Sequence, residues 1–427
     1  MLVTHDIPNA MFLPYALPLL LASAASASNL FVSSYAGPVT TLELTRNAST
    51  KSYNLQTISS TNECAYNASW LLFEPSHRVL YCIGEGMDSS TRGGLTVFSA
   101  QADGSLKKTD QHDTPWGGVH AAIYGDKAGN RSLAIAHYGG NGISTWTLDN
   151  CGQKTSSTPS QFFNYTTLKS GPRPQQTKSH PHQVVVDPTR KFIVSPDLGA
   201  DLVHTFAIDA NSGVLSECPS LSVDPGSGPR HAHFVVAPGK HGRSGRLNPA
   251  NETVVLYVVT EIANTITAYK VSYPAQGGCP TFTQIEQAST FGSHATPNNM
   301  TAAAEIAVHK DIMIVSNRND NLTYSANGVV ARDTANNTIM SDTLSTFSLN
   351  TTGTFDFLGL FPAGGRYPRQ FSLNKKGNLV AVALQLSSKV VVISRNVTTG
   401  SFIKQVAEID LKGQITSVVW DDDEEDC

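Results

Sequence analysis

Short apolar runs separated by clusters of Gly, Asn, Asp, Ser and Pro recur along the whole chain, and many of them pair across a turn. Residues 71–75 lead to 79–83, 121–124 to 133–136, 183–188 to 192–194, 306–308 to 312–315 and 371–373 to 379–383. Residues 234–238 lead to 254–259 over a long polar insertion. Each of these hairpins is followed by a further pair of strand-like segments, such as 202–208 with 216–223 and 390–393 with 403–409. Four strands per repeat is the unit of a β-propeller blade. The chain ends supply one more unit. Residues 415–420 read as an inner strand without its partner, and 29–35 as a second strand without its first, followed by 40–44 and 53–58. Joining them closes the ring and removes the exposed sheet edges. The pattern therefore predicts an all-β, seven-bladed β-propeller closed by pairing of the N- and C-terminal strands. Two β-sandwiches, the competing arrangement, would not give such regular spacing or matching ends.

Composition fits an exported chain of this kind. The 427 residues carry a formal net charge of −4, with 40% hydrophobic and 15% charged residues. Such a balance gives no electrostatic case for nucleic acid or a membrane surface. Residues 11–22 form an apolar stretch short for a membrane span, and Ala25-Ser26-Ala27 follows as a small-x-small cleavage site. The expected organisation is a removed signal peptide at 1–27, one propeller domain at 28–420 and an acidic, solvated tail at 421–427. The stretch before residue 11 lacks Lys and Arg, which makes Met11 an alternative start. No apolar tail follows, so no GPI anchor is expected. Asn-x-Ser/Thr sequons stand at Asn47, Asn67, Asn130, Asn164, Asn251, Asn299, Asn321, Asn336, Asn350 and Asn396. They are candidate glycosylation sites, part of which chance alone supplies. The six cysteines show no zinc spacing. Cys64 with Cys82, and Cys218 with Cys279 in similar Cys-Pro turns, are candidate disulfides.

Candidate chemistry follows from the repeat. In a propeller, the loop entering each inner strand and the loop leaving each second strand open on one face. Counting outward from the hairpin turns pairs His182 with Asp197, Glu305 with Arg318, Arg369 with Gln385 and His120 with His137. Arg230 and His231 stand before an inner strand, and Glu261 after the following second strand. Asp197, His231, Glu305, Arg369 and Gln385 are thus placed around one channel mouth with His182, Arg230, Glu261 and Arg318. Singly, each could be a structural ion pair or a loop residue; the repetition of charged groups at the same two positions argues for a ligand site. Three arginines suit a carboxylate, a phosphate or a developing oxyanion, while His182 and Glu261 suit proton transfer. There is no Ser nucleophile elbow and no Gly-rich phosphate loop. His180-x-His182 is a weak metal signal that three nearby cations oppose, so the expected chemistry is metal-independent and needs no cofactor.

The motifs HPHQVVVDP, PDLGADLV, GSGPRH, VVTE, SNR and YPRQF, spread over residues 29–420, resemble those of the seven-bladed propeller lactonases. That family includes fungal carboxy-cis,cis-muconate cyclase and propeller-type 6-phosphogluconolactonase. The resemblance implies catalytic roles for His182, Arg230, Glu261 and Arg318, with Arg369 and Gln385 as further members of the channel rim. It implies action on a small anionic carboxylate or a lactone, by forming or by opening the lactone ring, and the protein is expected to be a monomer. Such enzymes work on intracellular metabolites, whereas this chain has the features of a secreted or wall-associated glycoprotein. A propeller serving as an antigen or adhesin, with little or no catalysis, is the alternative from a different class.

Overall fold

The computed structural model describes residues 26–422 apart from 87, 89, 126–129, 238–251, 276, 294–296, 321, 326–327 and 331–338. Seven four-stranded antiparallel sheets surround one axis. Blade one combines Ile415–Asp421 innermost with Ser26–Ser34, Val39–Arg46 and Tyr53–Thr61. Blade two runs Ala68–Glu74, Val79–Gly84, Gly93–Ala100 and Leu106–Thr114, and blade three Gly118–Tyr124, Ser132–His137, Gly142–Thr147 and Gln161–Asn164. Blade four has Val185–Val186, Phe192–Asp197, Leu202–Ile208 and Leu215–Ser222, and blade five Pro229–Val236, Val254–Thr260, Thr265–Ser272 and Thr281–Ser289. Blade six has Ala302–His309, Ile312–Arg318, Thr343–Leu349 and Phe355–Pro362, and blade seven Pro368–Leu373, Leu379–Leu384, Lys389–Arg395 and Phe402–Asp410. Among the described residues, no helix is long and apolar enough to cross a membrane.

The two kinds of apolar pattern have separate causes. Second strands such as Val254–Thr260 and Leu379–Leu384 are buried at every residue, because neighbouring blades cover both faces of the sheet. They therefore read as unbroken apolar runs. Outer strands such as Leu106–Thr114 and Phe402–Asp410 are largely wet and carry Lys, Asp and Glu. Seven large apolar clusters result, one at each interface between blades.

The ring closes as the terminal patterns predict. Ser26–Ser34 pairs antiparallel with Ile415–Asp421, with Leu30 opposite Trp420 and Val32 opposite Val418. The expected tail boundary at 421 needs correction. Asp421 lies inside the closing strand and binds Arg78 through both carboxylate oxygens, at 3.0 and 2.8 Å. The Asp422 carboxylate accepts the Lys375 amide at 2.5 Å; residues 423–427 lie outside the described residues. At the other end, the first strand begins at Ser26, two residues ahead of the expected domain start. The proposed signal segment otherwise lies outside the described residues.

Both candidate disulfides are present. Cys64–Cys82 ties the entrance of blade two to its second strand, and Cys218–Cys279 joins blades four and five across 61 residues. Cys218 lies within the outer strand of blade four, not in a turn. Two features escaped the pattern. Blade six carries a small sheet of Thr323–Ser325, Gly328–Val330 and Ile339–Met340 between its second and third strands. The sequon at Asn130 is buried, and its side-chain amide donates to the Ala210 carbonyl at 2.8 Å, so no glycan fits there.

Candidate active site at the channel mouth

A recurring backbone irregularity builds the site. Near the start of the inner strand, the ladder skips between Ala68 and Trp70, Gly118 and His120, Pro229 and His231, Ala303 and Ile306, and Pro368 and Arg369's neighbour Gln370. An inserted residue of this kind bends the strand and re-aims a side chain. In blades five and seven the inserted residues are Arg230 and Arg369, and in blade six they include Glu305. The second position is the residue just after the second strand. Tyr35, Glu85, Tyr138, Glu261 and Gln385 occupy it in blades one, two, three, five and seven.

Two arginines converge on one carboxylate oxygen. Arg318 Nη2 lies 2.6 Å and Arg230 Nε 2.9 Å from Glu261 Oε2. The Arg230 approach is an ion-pair contact rather than an aligned hydrogen bond, since its Nε–H has no well-directed acceptor. Backbone carbonyls fix both guanidinium groups: Arg230 Nη1 donates to Ala304 O at 2.9 Å, and Arg318 Nε to Ala302 O at 3.0 Å. The Arg318 guanidinium also lies over the Tyr367 ring, 4.9 Å from its centroid. Burial acts to raise the Glu261 pKa, but Arg318 and then Arg230 overcome it and hold this carboxyl below its ordinary range. Burial and the like charge of Arg318 lower the Arg230 pKa, against the pull of Glu261, and leave it a cation at neutral pH.

A second constellation joins the other end of the ring. Arg369 Nη1 donates to Tyr35 Oη at 2.7 Å and Nη2 to Glu85 Oε1 at 3.1 Å, while Tyr35 Oη donates to that same Glu85 oxygen at 2.5 Å. Burial opposes the Arg369 charge, but Tyr35 and Glu85 more than offset it and raise its pKa above the usual value. Tyr138 lies within reach of both constellations; burial and then the Glu261 charge push its hydroxyl up to about 12.

Aromatic rings fill the channel beneath these charges. Trp70 and His120 lie 4.2 Å apart between centroids, His120 and His231 5.5 Å, and His182 and His231 5.2 Å. His231 is 1% and Arg230 2% exposed against 25% for the Glu261 side chain, so Glu261 is the more open group. His182 Nδ1 is buried without a hydrogen-bond partner. Burial, then the positive charge of Arg230, drives the His182 pKa well below its ordinary value, so the ring is neutral at physiological pH. His231 Nδ1 meets Glu305 Oε1 at 2.9 Å.

The structure thus brings His182, Arg230, Glu261 and Arg318 together, with Arg369 on the same ring and the buried His231–Glu305 pair beside them. Gln385 lies at the rim and donates to Gln414 Oε1 at 2.8 Å. Asp197 does not face the mouth. Its fully buried carboxylate accepts from Ser179 Oγ (2.5 Å), the amides of His180 (2.6 Å), Gly199 (3.0 Å) and Ala200 (3.1 Å), and His204 Nε2 (3.0 Å). Those bonds consume its lone pairs and make it the knot of the loop that carries His182. Burial opposes its ionisation, yet His204, Ser179 and the His180 amide keep its pKa low. His137 turns into its blade and bonds Ser144 Oγ at 2.8 Å. His180 stacks on Tyr138 with its Nδ1 on the Tyr138 carbonyl at 2.8 Å, which occupies one nitrogen of the His-x-His pair. No group of three or more metal-ligating side chains occurs among the described residues. Sequence reasoning missed Tyr35, Glu85, Trp70 and Tyr138. Glu85 had a usable signal, since it follows its second strand as Glu261 follows its own.

A seven-bladed ring carries arginines and a neutral imidazole together at one mouth. Residues 29–420 match the family described as Lactonase, 7-bladed beta-propeller, and the chain belongs to that family. A 6-phosphogluconolactonase of Formosa agariphila is 26% identical over 373 residues, covering 85% of this chain and 91% of that protein. An Arthroderma benhamiae protein named "Probable 6-phosphogluconolactonase" is 29% identical over 386 residues, covering 89% of this chain and 86% of its own length. The solved Pseudomonas aeruginosa periplasmic gluconolactonase shares the fold with a TM-score of 0.72 at 19% identity, covering 92% of this chain and 99% of that one.

Proposed function

We propose that this mouth opens the ring of a small sugar-acid lactone with water, without metal or cofactor, in a monomeric enzyme. The observation that carries this reading is the meeting of Arg230 and Arg318 on one oxygen of Glu261, beside the neutral His182 with its unpartnered Nδ1. Membership of the lactonase family and the names of the relatives agree with it. His182 Nδ1 removes a proton from water as the water oxygen bonds to the lactone carbonyl carbon. The carbonyl electron pair moves onto oxygen, where the guanidinium groups stabilise it. Re-formation of the carbonyl breaks the ring C–O bond, and the leaving ring oxygen takes the proton back from His182. Glu261, weakened as a base by two cations, holds both guanidinium groups in register. Arg230, Arg318 and Arg369 give the mouth three fixed cations beside Glu261 and Glu85, donors suited to an anionic group of the lactone.

Purified protein is to be assayed by proton release with glucono-δ-lactone and its 6-phosphate, and by proton uptake with 3-carboxy-cis,cis-muconate, whose lactonisation consumes one proton. Turnover of a lactone is expected, falling by about 10²–10⁴-fold in His182→Ala. Lactonisation of the muconate without hydrolysis would replace this reading by the cyclase one. No turnover of any of the three would leave the antigen or adhesin reading.

We also infer that the chain is exported, with 1–27 removed and glycans on exposed sequons. Two disulfides support this, as do exposed Asn47, Asn164, Asn299 and Asn396. Intact mass of the native protein should show a start near residue 28 and a decrease on deglycosylation. An unglycosylated chain that retains residues 11–27 would refute export.

A further inference from the structure

Behind His182 lies a pair of groups that the reaction outlined above does not use. His231 and Glu305 come from the inner strands of blades five and six, each at the point where the ladder skips. His231 Nδ1 and Glu305 Oε1 are 2.9 Å apart, and the two side chains are 1% and 7% exposed. Each partner also has a buried polar atom left over, His231 Nε2 and Glu305 Oε2. Unpaired polar atoms in an interior are costly, and native structures hold few of them outside functional sites. The His231 ring lies 5.2 Å from that of His182, which itself carries an unpartnered Nδ1. Three buried groups therefore lie in a row from the channel mouth to Glu305, His182 and His231 in ring contact and His231 bonded to Glu305, each with an open donor or acceptor position.

We propose that Glu305 and His231 form a buried carboxylate–imidazole pair that receives, by way of His182, the proton set free when the lactone opens, with Glu305 acting as a positioning residue for His231. The proposal rests on the hydrolase reading of the same site. Lactone opening consumes one water: its oxygen bonds to the carbonyl carbon, and one proton ends on the former ring oxygen. The other proton leaves with the ionisation of the new carboxylic acid. His182 accepts it at Nδ1 and releases its Nε2 hydrogen, which His231 accepts at Nε2 while the Nδ1 hydrogen of His231 passes to Glu305. The imidazole ends neutral with its tautomer exchanged, and the carboxylate ends as a neutral acid. That exchange avoids an imidazolium among cations. Burial and then Arg230, Arg318 and Arg369 press His231 towards neutrality, so the carboxylate has to hold the charge difference.

The surroundings of Glu305 suit that task. Burial pushes its pKa up to about 7, against the opposing pull of Arg230, His120, the Ile306 amide and His233. Ser316 Oγ, on the next strand, accepts the Glu305 amide at 3.0 Å and leaves Oε2 untouched. Around His231 stand Trp70 and His120 from blades two and three, His182 from blade four and Glu305 from blade six. The sign of the pH dependence follows. Ionised Glu305 accepts from Nδ1–H and leaves Nε2 open as an acceptor, whereas protonated Glu305 donates to Nδ1 and blocks that role. Turnover should rise with pH through about 7. His182 does not supply this limb, because its own pKa lies well below 6.5.

The test is the pH profile of kcat for a lactone that the wild type hydrolyses, compared with Glu305→Gln. The amide keeps the shape and the Nδ1 contact but does not ionise. The variant should lose about 10-fold or more in kcat with little change in KM, and its profile should lose the limb near neutrality. A retained limb in Glu305→Gln would refute the relay while leaving the hydrolase reading intact. Absence of wild-type turnover would sink both. Infrared difference spectra of the wild type provide a second reading, independent of whether the variant folds. A protonated, buried carboxyl band that disappears as pH rises through about 7 is expected, and its absence overturns the assignment.

Discussion

Arg230→Ala is expected to lower kcat/KM for the lactone substrate by about 10²–10³-fold, the loss typical of removing one preorganised donor from an oxyanion site. Three structural facts set this size. The Arg230 side chain is 2% exposed, so water does not replace the missing guanidinium freely. Its removal takes away the tie to the Ala304 carbonyl, which is left buried at the inner strand of blade six. It also leaves Glu261 anchored by Arg318 alone. Arg230→Lys should rescue only part of the loss, since a single ammonium does not reproduce a planar group that bonds the Ala304 carbonyl and at the same time contacts Glu261. Equal kcat/KM values for wild type and Arg230→Ala would remove Arg230 from the catalytic set. The kinetic effect should exceed what any loss of stability explains, and thermal melting of the same samples separates the two.

Deletion of residues 415–427 is expected to prevent folding. The lost strand contributes Ile415, Val418 and Trp420 to the core between blades seven and one. At about 1.5–3 kcal/mol for each large buried apolar side chain, these three residues alone approach the whole 5–15 kcal/mol margin of an ordinary domain. The strand also bonds laterally to both neighbours. Thr416 Oγ1 donates to Ala68 O at 2.6 Å, the Val418 amide to Gln370 Oε1 at 2.7 Å, and Trp420 Nε1 to Ser372 O at 3.1 Å. Without it, Ser26–Ser34 becomes an open apolar edge suited to pairing with other chains. Size-exclusion chromatography and circular dichroism should show aggregate or no cooperative melt. A soluble truncated chain that melts cooperatively would show that the remaining sheets close by other means.

Blade count, closure and both disulfide pairs were legible in the chain because each leaves a mark in composition: apolar runs, matching terminal half-blades and cysteines. The bulges leave none. Counting from the turn places Asp197 opposite His182, whereas the structure bridges Asp197 to Pro181 and joins the His182 amide to the Pro196 carbonyl at 2.9 Å. Likewise Ala302, not Glu305, stands opposite Arg318, so Glu305 pairs with His231 from the adjacent blade. An insertion of one or two residues sends a side chain to a different partner without changing the apolar pattern that announces the strand. The mouth itself was still recognisable, because loop ends converge in a propeller whatever the local register. Tyr35 was hidden for another reason: it follows the second strand of the blade shared by the two chain ends, next to where the ring is joined.

The position after each second strand is, in effect, a set of interchangeable stations. Tyr35, Glu85, Tyr138, Glu261 and Gln385 differ in charge, size and hydrogen-bonding character, yet a similar backbone presents each of them. The apolar clusters between blades draw on the strands themselves and not on these residues. A new side chain at one station can therefore alter what the mouth binds while the interfaces that hold the ring together remain as they are. Under the proposed function, selectivity and stability lie on different residues of the same repeat, so the substrate can change without refolding the scaffold.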